Sequence, residues 1–88
     1  MEFTAVGFRF RSKTPECLRE DGFINLIPEP TNLYDPDAIK VLMNSEHVGY
    51  IARDYCRDVS GVIESAEQWR VGLVDTYKAS ALLKLYWI

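Results

Sequence analysis

Glu29-Pro30-Thr31-Asn32-Leu33-Tyr34-Asp35-Pro36-Asp37-Ala38-Ile39 is the stretch on which the reading of this chain turns. Two prolines, an Asn, a Tyr and two aspartates stand between two apolar runs, so the segment is a loop that opens directly onto a strand. Connections made only to join strands are shorter and plainer. Prolines stiffen this one, and its Asn, Tyr and carboxylates offer hydrogen bonds, which suits a loop that presents groups to a ligand from a rigid scaffold.

Strands flank it. Gly22 to Ile27 is apolar and is stopped by Pro28, which lacks a backbone donor. Ile39 to Met43 and His47 to Ile51 are separated by the polar Asn44-Ser45-Glu46, the spacing of a hairpin. At the N-terminus, Glu2 to Arg11 reads as a strand in which Val6, Phe8 and Phe10 face a core and Gly7, Arg9 and Arg11 face solvent or ligand. Gly7 in mid-strand marks a bulge or a close approach. Ser12 to Asp21 is polar and has room for a short helical turn at Pro15.

Asp54 is placed to cap a helix of about twelve residues. Tyr55, Val59, Val62, Ile63 and Ala66 form its apolar stripe. Trp69 to Thr76 and Ala79 to Ile88 are the last strands, joined tightly through Tyr77-Lys78. The final one is almost wholly apolar, which predicts burial on both faces and a costly C-terminal truncation. Six strands and one main helix in 88 residues give a mostly β fold, a small OB-like or SH3-like barrel. Such a barrel is filled by its own side chains, so a ligand must lie on its surface between loops.

Length bounds the chain to one domain, residues 1–88. Phosphate-loop, dinucleotide-binding and zinc-protease motifs are absent. No signal peptide or apolar span is visible, so the expected location is the cytoplasm. Cys17 and Cys56 stand apart and read as free thiols. Net charge is −3 at pH 7. A protein that grips many phosphates carries a basic surface, so any nucleic acid here is held locally through few phosphates. Asp35 and Asp37 lack the companions a metal or an acid–base pair requires, and no cofactor or metal is expected. His47 reads as exposed and idle, and Gly49 as a backbone requirement of the hairpin.

Leu26, Glu29-Pro30, Asn32, Tyr34-Asp35, Asp37-Ala38-Ile39 with Val41, and then Val48-Gly49-Tyr50-Ile51 together resemble the HIRAN domain family, as does the opening Val6-Gly7-Phe8-Arg9-Phe10. The similarity runs from about residue 5 to residue 66 and looks like that of a stand-alone bacterial or phage member. It implies an OB-like six-stranded barrel with helices. It also implies a recognition activity without catalysis, the binding of single-stranded DNA by its free 3′ end.

Carried over residue by residue, the resemblance implies a site of Arg9 and Phe10 from the opening strand, with Arg11 where the family has a second aromatic. Asn32, Tyr34 and Asp35 come from the loop, Tyr50 follows Val48-Gly49, and Arg53 is a basic residue three further on. Tyr77 is the nearest counterpart of a final aromatic. In such a site Tyr34 and Phe10 would stack on bases, the arginines would meet phosphate, and Asp35 would accept a hydrogen bond from a terminal hydroxyl. Plainer roles stand beside these: Asp35 holding loop amides, Phe10 in the core, the arginines as solvated charges. A small nucleotide or cyclic nucleotide is the alternative ligand. A protein-interaction module, with the last strand as a homo-oligomer face, is the alternative to ligand binding.

Overall fold

The computed structural model describes residues Met1–Ile88. Its strands are β1 (Glu2–Val6), β2 (Ile24–Pro28), β3 (Ile39–Met43), β4 (Glu46–Ile51), β5 (Trp69–Thr76) and β6 (Ala81–Trp87), with one helix, α1 (Cys56–Ser65), between β4 and β5. They form one antiparallel sheet in the order β2-β3-β4-β1-β6-β5. The sheet curls until its outer strands β2 and β5 touch, giving a half-barrel of the expected OB-like kind. No helix is long and apolar enough to cross a membrane.

The β3–β4 hairpin turns on Asn44 and Ser45, both at positive φ (49° and 74°). That geometry matches the right-handed twist of the flanking strands. The Asn44 side-chain oxygen also accepts from the Phe23 amide at 2.8 Å, tying the start of β2 to the hairpin. The core is filled by Phe3, Ala5, Phe8, Leu26, Val41, Val48, Ile51, Val59, Leu83 and Leu85 among others.

Four sequence expectations need correction. The first strand is shorter than Glu2 to Arg11 and has the opposite parity. Phe3 and Ala5 face inward, β1 stops at Val6, and Gly7 turns the chain at φ 76° into a 3-10 turn over Phe8–Arg11. Phe8 still enters the core, but Phe10 is 74% exposed. Left-handed backbone is nearly free for glycine and costs about 1 kcal/mol or more for other residues, so Gly7 sets this switch.

Asp54 does not cap α1. It lies inside a 3-10 turn, Arg53–Tyr55, and the helix begins at Cys56 without a side-chain cap. Burial of Cys56 and Val59 anchors the helix instead.

The final strand is buried on one face. Ala81, Leu83 and Leu85 point inward, while Tyr86, Trp87 and Ile88 are exposed. Apolar residues on the outer face made the alternation invisible in the sequence. His47, finally, is half-buried and engaged.

Gly49 is needed for space rather than for an unusual torsion. A Cβ there would lie 2.9 Å from the Val6 carbonyl oxygen and 3.2 Å from the Phe8 ring. Glycine therefore lets β4 press against the strand and turn that carry the N-terminal site residues.

Candidate functional site

The loop from Glu29 to Ala38 is closed at its base by the Glu29 amide donating to the Ala38 carbonyl at 2.8 Å. Asn32 organises its interior. The side-chain oxygen accepts from the amides of Tyr34 (2.8 Å) and Asp35 (2.9 Å), and the side-chain amide donates to Glu29 Oε1 at 2.7 Å. Asp35 repeats the device one step on, its Oδ1 accepting from the Asp37 amide at 2.9 Å. These are Asx turns, the local bonds by which Asn and Asp fix a loop.

Glu29 joins this loop to the sheet. Its Oε1 also accepts from the Tyr50 hydroxyl at 3.0 Å, and its Oε2 stands 3.9 Å from the Lys40 ammonium. The bonds from Asn32 and then Tyr50 hold the Glu29 carboxyl below its ordinary range, because both favour the charged form. Burial, and next the Glu29 carboxylate, push the Tyr50 phenol up, so it remains a donor at neutral pH. In the sequence Glu29 is a motif residue with no visible task at the site. Its role crosses from loop to β4, and residue spacing carries no sign of that.

Between this loop, β4 and the Phe8–Arg11 turn lies a cleft of about 600 Å³. Six of the nine candidate residues line it: Phe10, Asn32, Tyr34, Asp35, Tyr50 and Arg53, with Ala38 and Ile51 as apolar floor. Tyr34 (91% exposed) and Phe10 present aromatic faces at its rim. Arg53 approaches Asp35 Oδ2 at 3.5 Å, a long contact between a largely exposed guanidinium and a half-buried carboxylate. At that exposure the pair contributes little stability, and the guanidinium is free to move toward a ligand.

The other three candidates lie outside the lining of this cleft. The Arg9 guanidinium sits over the Phe10 ring, 4.9 Å from its centroid. Arg11 donates through Nε to the His47 carbonyl at 3.4 Å. Tyr77 is exposed on the β5–β6 connection, where its amide donates to the Ser80 carbonyl.

His47 supports the cleft from behind. Its Nε2–H donates to the Gly49 carbonyl at 2.9 Å, and its ring meets Tyr50 edge to face with centroids 4.8 Å apart. Burial first, and then the Arg11 charge, hold its pKa below the usual value. A depressed pKa means the unfolded chain takes up this proton before the folded one does. Stability from the neutral ring is then complete above the unfolded value of about 6.5 and falls as pH drops toward the lower folded value. Urea unfolding at pH 7.5 and 5.5 should therefore show lower stability at the acid point. His47→Gln should flatten that difference, and an unchanged difference would assign the pH effect to other groups.

A family model described as the HIRAN domain matches residues 1–85. The crystal structure of the HIRAN domain of human HLTF is similar in fold, with a TM-score of 0.70 at 19% identity over 97% of this chain and 71% of that one. A protein of known structure from Lactobacillus plantarum is 25% identical, with a TM-score of 0.62 over 96% of this chain and 90% of the other. No curated protein matches the sequence.

Proposed function

The chain belongs to the HIRAN domain family, and from that premise we propose that it is a non-catalytic module that binds single-stranded DNA by a free 3′ end seated in the loop-lined cleft. One observation carries the reading: the bonds of Glu29 to Asn32 and Tyr50 hold Tyr34 and Asp35 on the same rigid rim that faces Phe10 and Arg53. A site preorganised in this way loses little freedom when a flexible nucleotide enters. Its volume falls within the range of about 300–1,000 Å³ usual for small-ligand clefts.

Each residue then has a task. Tyr34 and Phe10 stack on bases, a contact of about 1–3 kcal/mol per base that reads no sequence. Tyr50 and Asn32 keep the loop on the sheet and border the bound sugar. Arg53 meets a phosphate, with Arg9 and Arg11 as further cations on the approach. Asp35 accepts a hydrogen bond from a 3′-hydroxyl through Oδ2 and repels a phosphate placed there. The acidic balance of the chain fits a short grip on one strand end.

Titration with matched oligonucleotides ending in 3′-hydroxyl or 3′-phosphate tests this. The hydroxyl end should bind about tenfold or more tightly, a difference of about 1.4 kcal/mol, and Asp35→Asn should shrink the gap. Equal affinity for both ends would defeat end recognition. The cleft, of about 600 Å³ in a chain of net charge −3, supports a second reading, a free mononucleotide or cyclic nucleotide as ligand. Saturation by such a compound, with no binding of oligonucleotides, would favour it.

A further inference from the structure

The end of the β5–β6 hairpin away from its turn carries a cleft of about 200 Å³, lined by Gln68, Trp69, Arg70, Tyr86, Trp87 and Ile88. Both tryptophans of the chain are among these residues. Trp69 packs partly on the core, whereas Tyr86, Trp87 and Ile88 are exposed. The patch is nevertheless fixed in place. The Ile88 amide donates to the Gln68 carbonyl at 3.0 Å, and the Glu67 amide donates to the Ile88 carbonyl at 3.1 Å. Tyr86 lies across the bare backbone of Gly72, where a Cβ would stand 3.3 Å from its ring. Trp, Tyr and Arg are the residues in which interface energy concentrates.

The Arg70 guanidinium sits 4.3 Å from the Tyr86 ring centroid and the Lys84 ammonium 5.3 Å from it, and neither is paired with a carboxylate. A two-fold copy of the chain centred on Tyr86 would set these cations against their own equivalents, so the charge fits an acidic partner instead. The side-chain donors of Gln68, Trp69, Tyr86 and Trp87 make no hydrogen bond within the chain. β6 is paired on both sides, to β1 and β5, so a partner lying on it is held by side chains and not by a strand ladder. An extended proline-bearing segment suits such a face. Its carbonyls are unpaired and accept from indole, phenol and amide donors, and its rings pack on aromatic ones.

We propose that this cleft docks an acidic, proline-rich segment of another protein, its carboxylates meeting Arg70 and Lys84 and its proline rings lying on Tyr86 and Trp87. The surface stands apart from the loop-lined cleft. Ile51 of that cleft pairs with Ala5, which pairs in turn with Ala81. Trp87 lies at the other end of β6 from Ala81, roughly 20 Å away at the rise of a β-strand. Partner and DNA can therefore be held at once, and the docking does not depend on what the loop-lined cleft binds.

Tryptophan fluorescence reads this cleft directly, because the chain has no indole outside it. A synthetic peptide of four Pro-Pro-Glu repeats should shift the emission saturably. Peptides of four Pro-Pro-Lys or four Gly-Ser-Glu repeats should bind about tenfold or more weakly, the first through like charge and the second through its unfixed backbone. Arg70→Glu and Tyr86→Ala should each cost the Pro-Pro-Glu peptide about tenfold. Arg70→Glu leaves the Tyr86 ring on Gly72, so it separates docking from folding. A thymidine tetranucleotide should leave the emission unchanged and the peptide affinity within about twofold. No saturation up to about 1 mM peptide, equal binding of the Glu and Lys repeats, or full affinity in Arg70→Glu would overturn the proposal. So would an emission change produced by the oligonucleotide in place of the peptide, which would give the face to nucleic acid, or by protein concentration alone, which would give it to a second copy.

Discussion

Asn32→Asp should cost at least about tenfold in affinity for a 3′-hydroxyl oligonucleotide, or about 1.4 kcal/mol, although the two side chains are nearly the same shape. The acceptor oxygen that fixes the Tyr34 and Asp35 amides would remain. The donor to Glu29 would be replaced by a carboxylate oxygen at a position now 2.7 Å from Glu29 Oε1. Two carboxylates at that distance cannot both stay ionised without strain, so the loop should swing away from β4 and take Tyr34 and Asp35 with it.

Lower pH should restore part of the affinity, because protonating one of the pair recreates a donor. Tyr50→Phe provides the milder comparison, since it removes one bond to the same oxygen and keeps the ring. A net loss of about 0.5–1.5 kcal/mol is expected there. Titrations of the three proteins, with thermal melting as a check on folding, decide the matter. Full affinity in Asn32→Asp would mean the knot does not preorganise the cleft.

The largest effect on stability is expected at Phe8. Its ring is 2% exposed and faces Gly49 across the site where a Cβ would crowd it. Truncating a buried Phe to Ala costs about 3–5 kcal/mol. A domain of this length has roughly 4–13 kcal/mol in all, at about 0.05–0.15 kcal/mol per residue, so Phe8→Ala should be close to unfolding at 37 °C. Chemical denaturation should show the lowered midpoint, and Phe8→Leu a smaller shift.

Phe10→Ala makes the contrast two positions on. That ring is mostly exposed, so stability should change by no more than about 0.5 kcal/mol. DNA affinity should fall by the loss of one stacking platform, about 1–3 kcal/mol. Reversed results, with Phe10 stabilising and Phe8 dispensable, would contradict the position of the Phe8–Arg11 turn.

These two phenylalanines also show where sequence reading failed. Val6, Phe8 and Phe10 alternate as they would in a strand, and nothing in that spacing reveals that Gly7 takes φ 76° and starts a turn. Phe8 goes inward under either geometry. Phe10 goes inward only in the strand, so its release to the cleft rim depends on one glycine torsion.

The loop was legible because its bonds are local. Asn32 to Tyr34 and Asp35, and Asp35 to Asp37, span two or three residues, and Asn, Asp and Pro at such spacings are signals of ordered turns. Glu29 and His47 were not legible as parts of the site. Their partner is Tyr50, which reaches Glu29 across 21 residues of chain and meets His47 through a ring contact that strand parity does not predict.

By itself the sequence determined the family, the six strands and main helix, the β3–β4 hairpin and the ordered, hydrogen-bonding character of the Glu29–Ala38 loop. Each of these rests on periodicity or on contacts between near neighbours, whose energies are set by residue type and spacing. Only the tertiary structure decided which aromatics are free, that the outer face of β6 is exposed, and that Arg11 and Tyr77 stand outside the loop-lined cleft. Those features depend on how the curled sheet brings β1, β4 and the β5–β6 connection together. Contacts across such distances follow from packing of the whole chain, and no local pattern of residues encodes them.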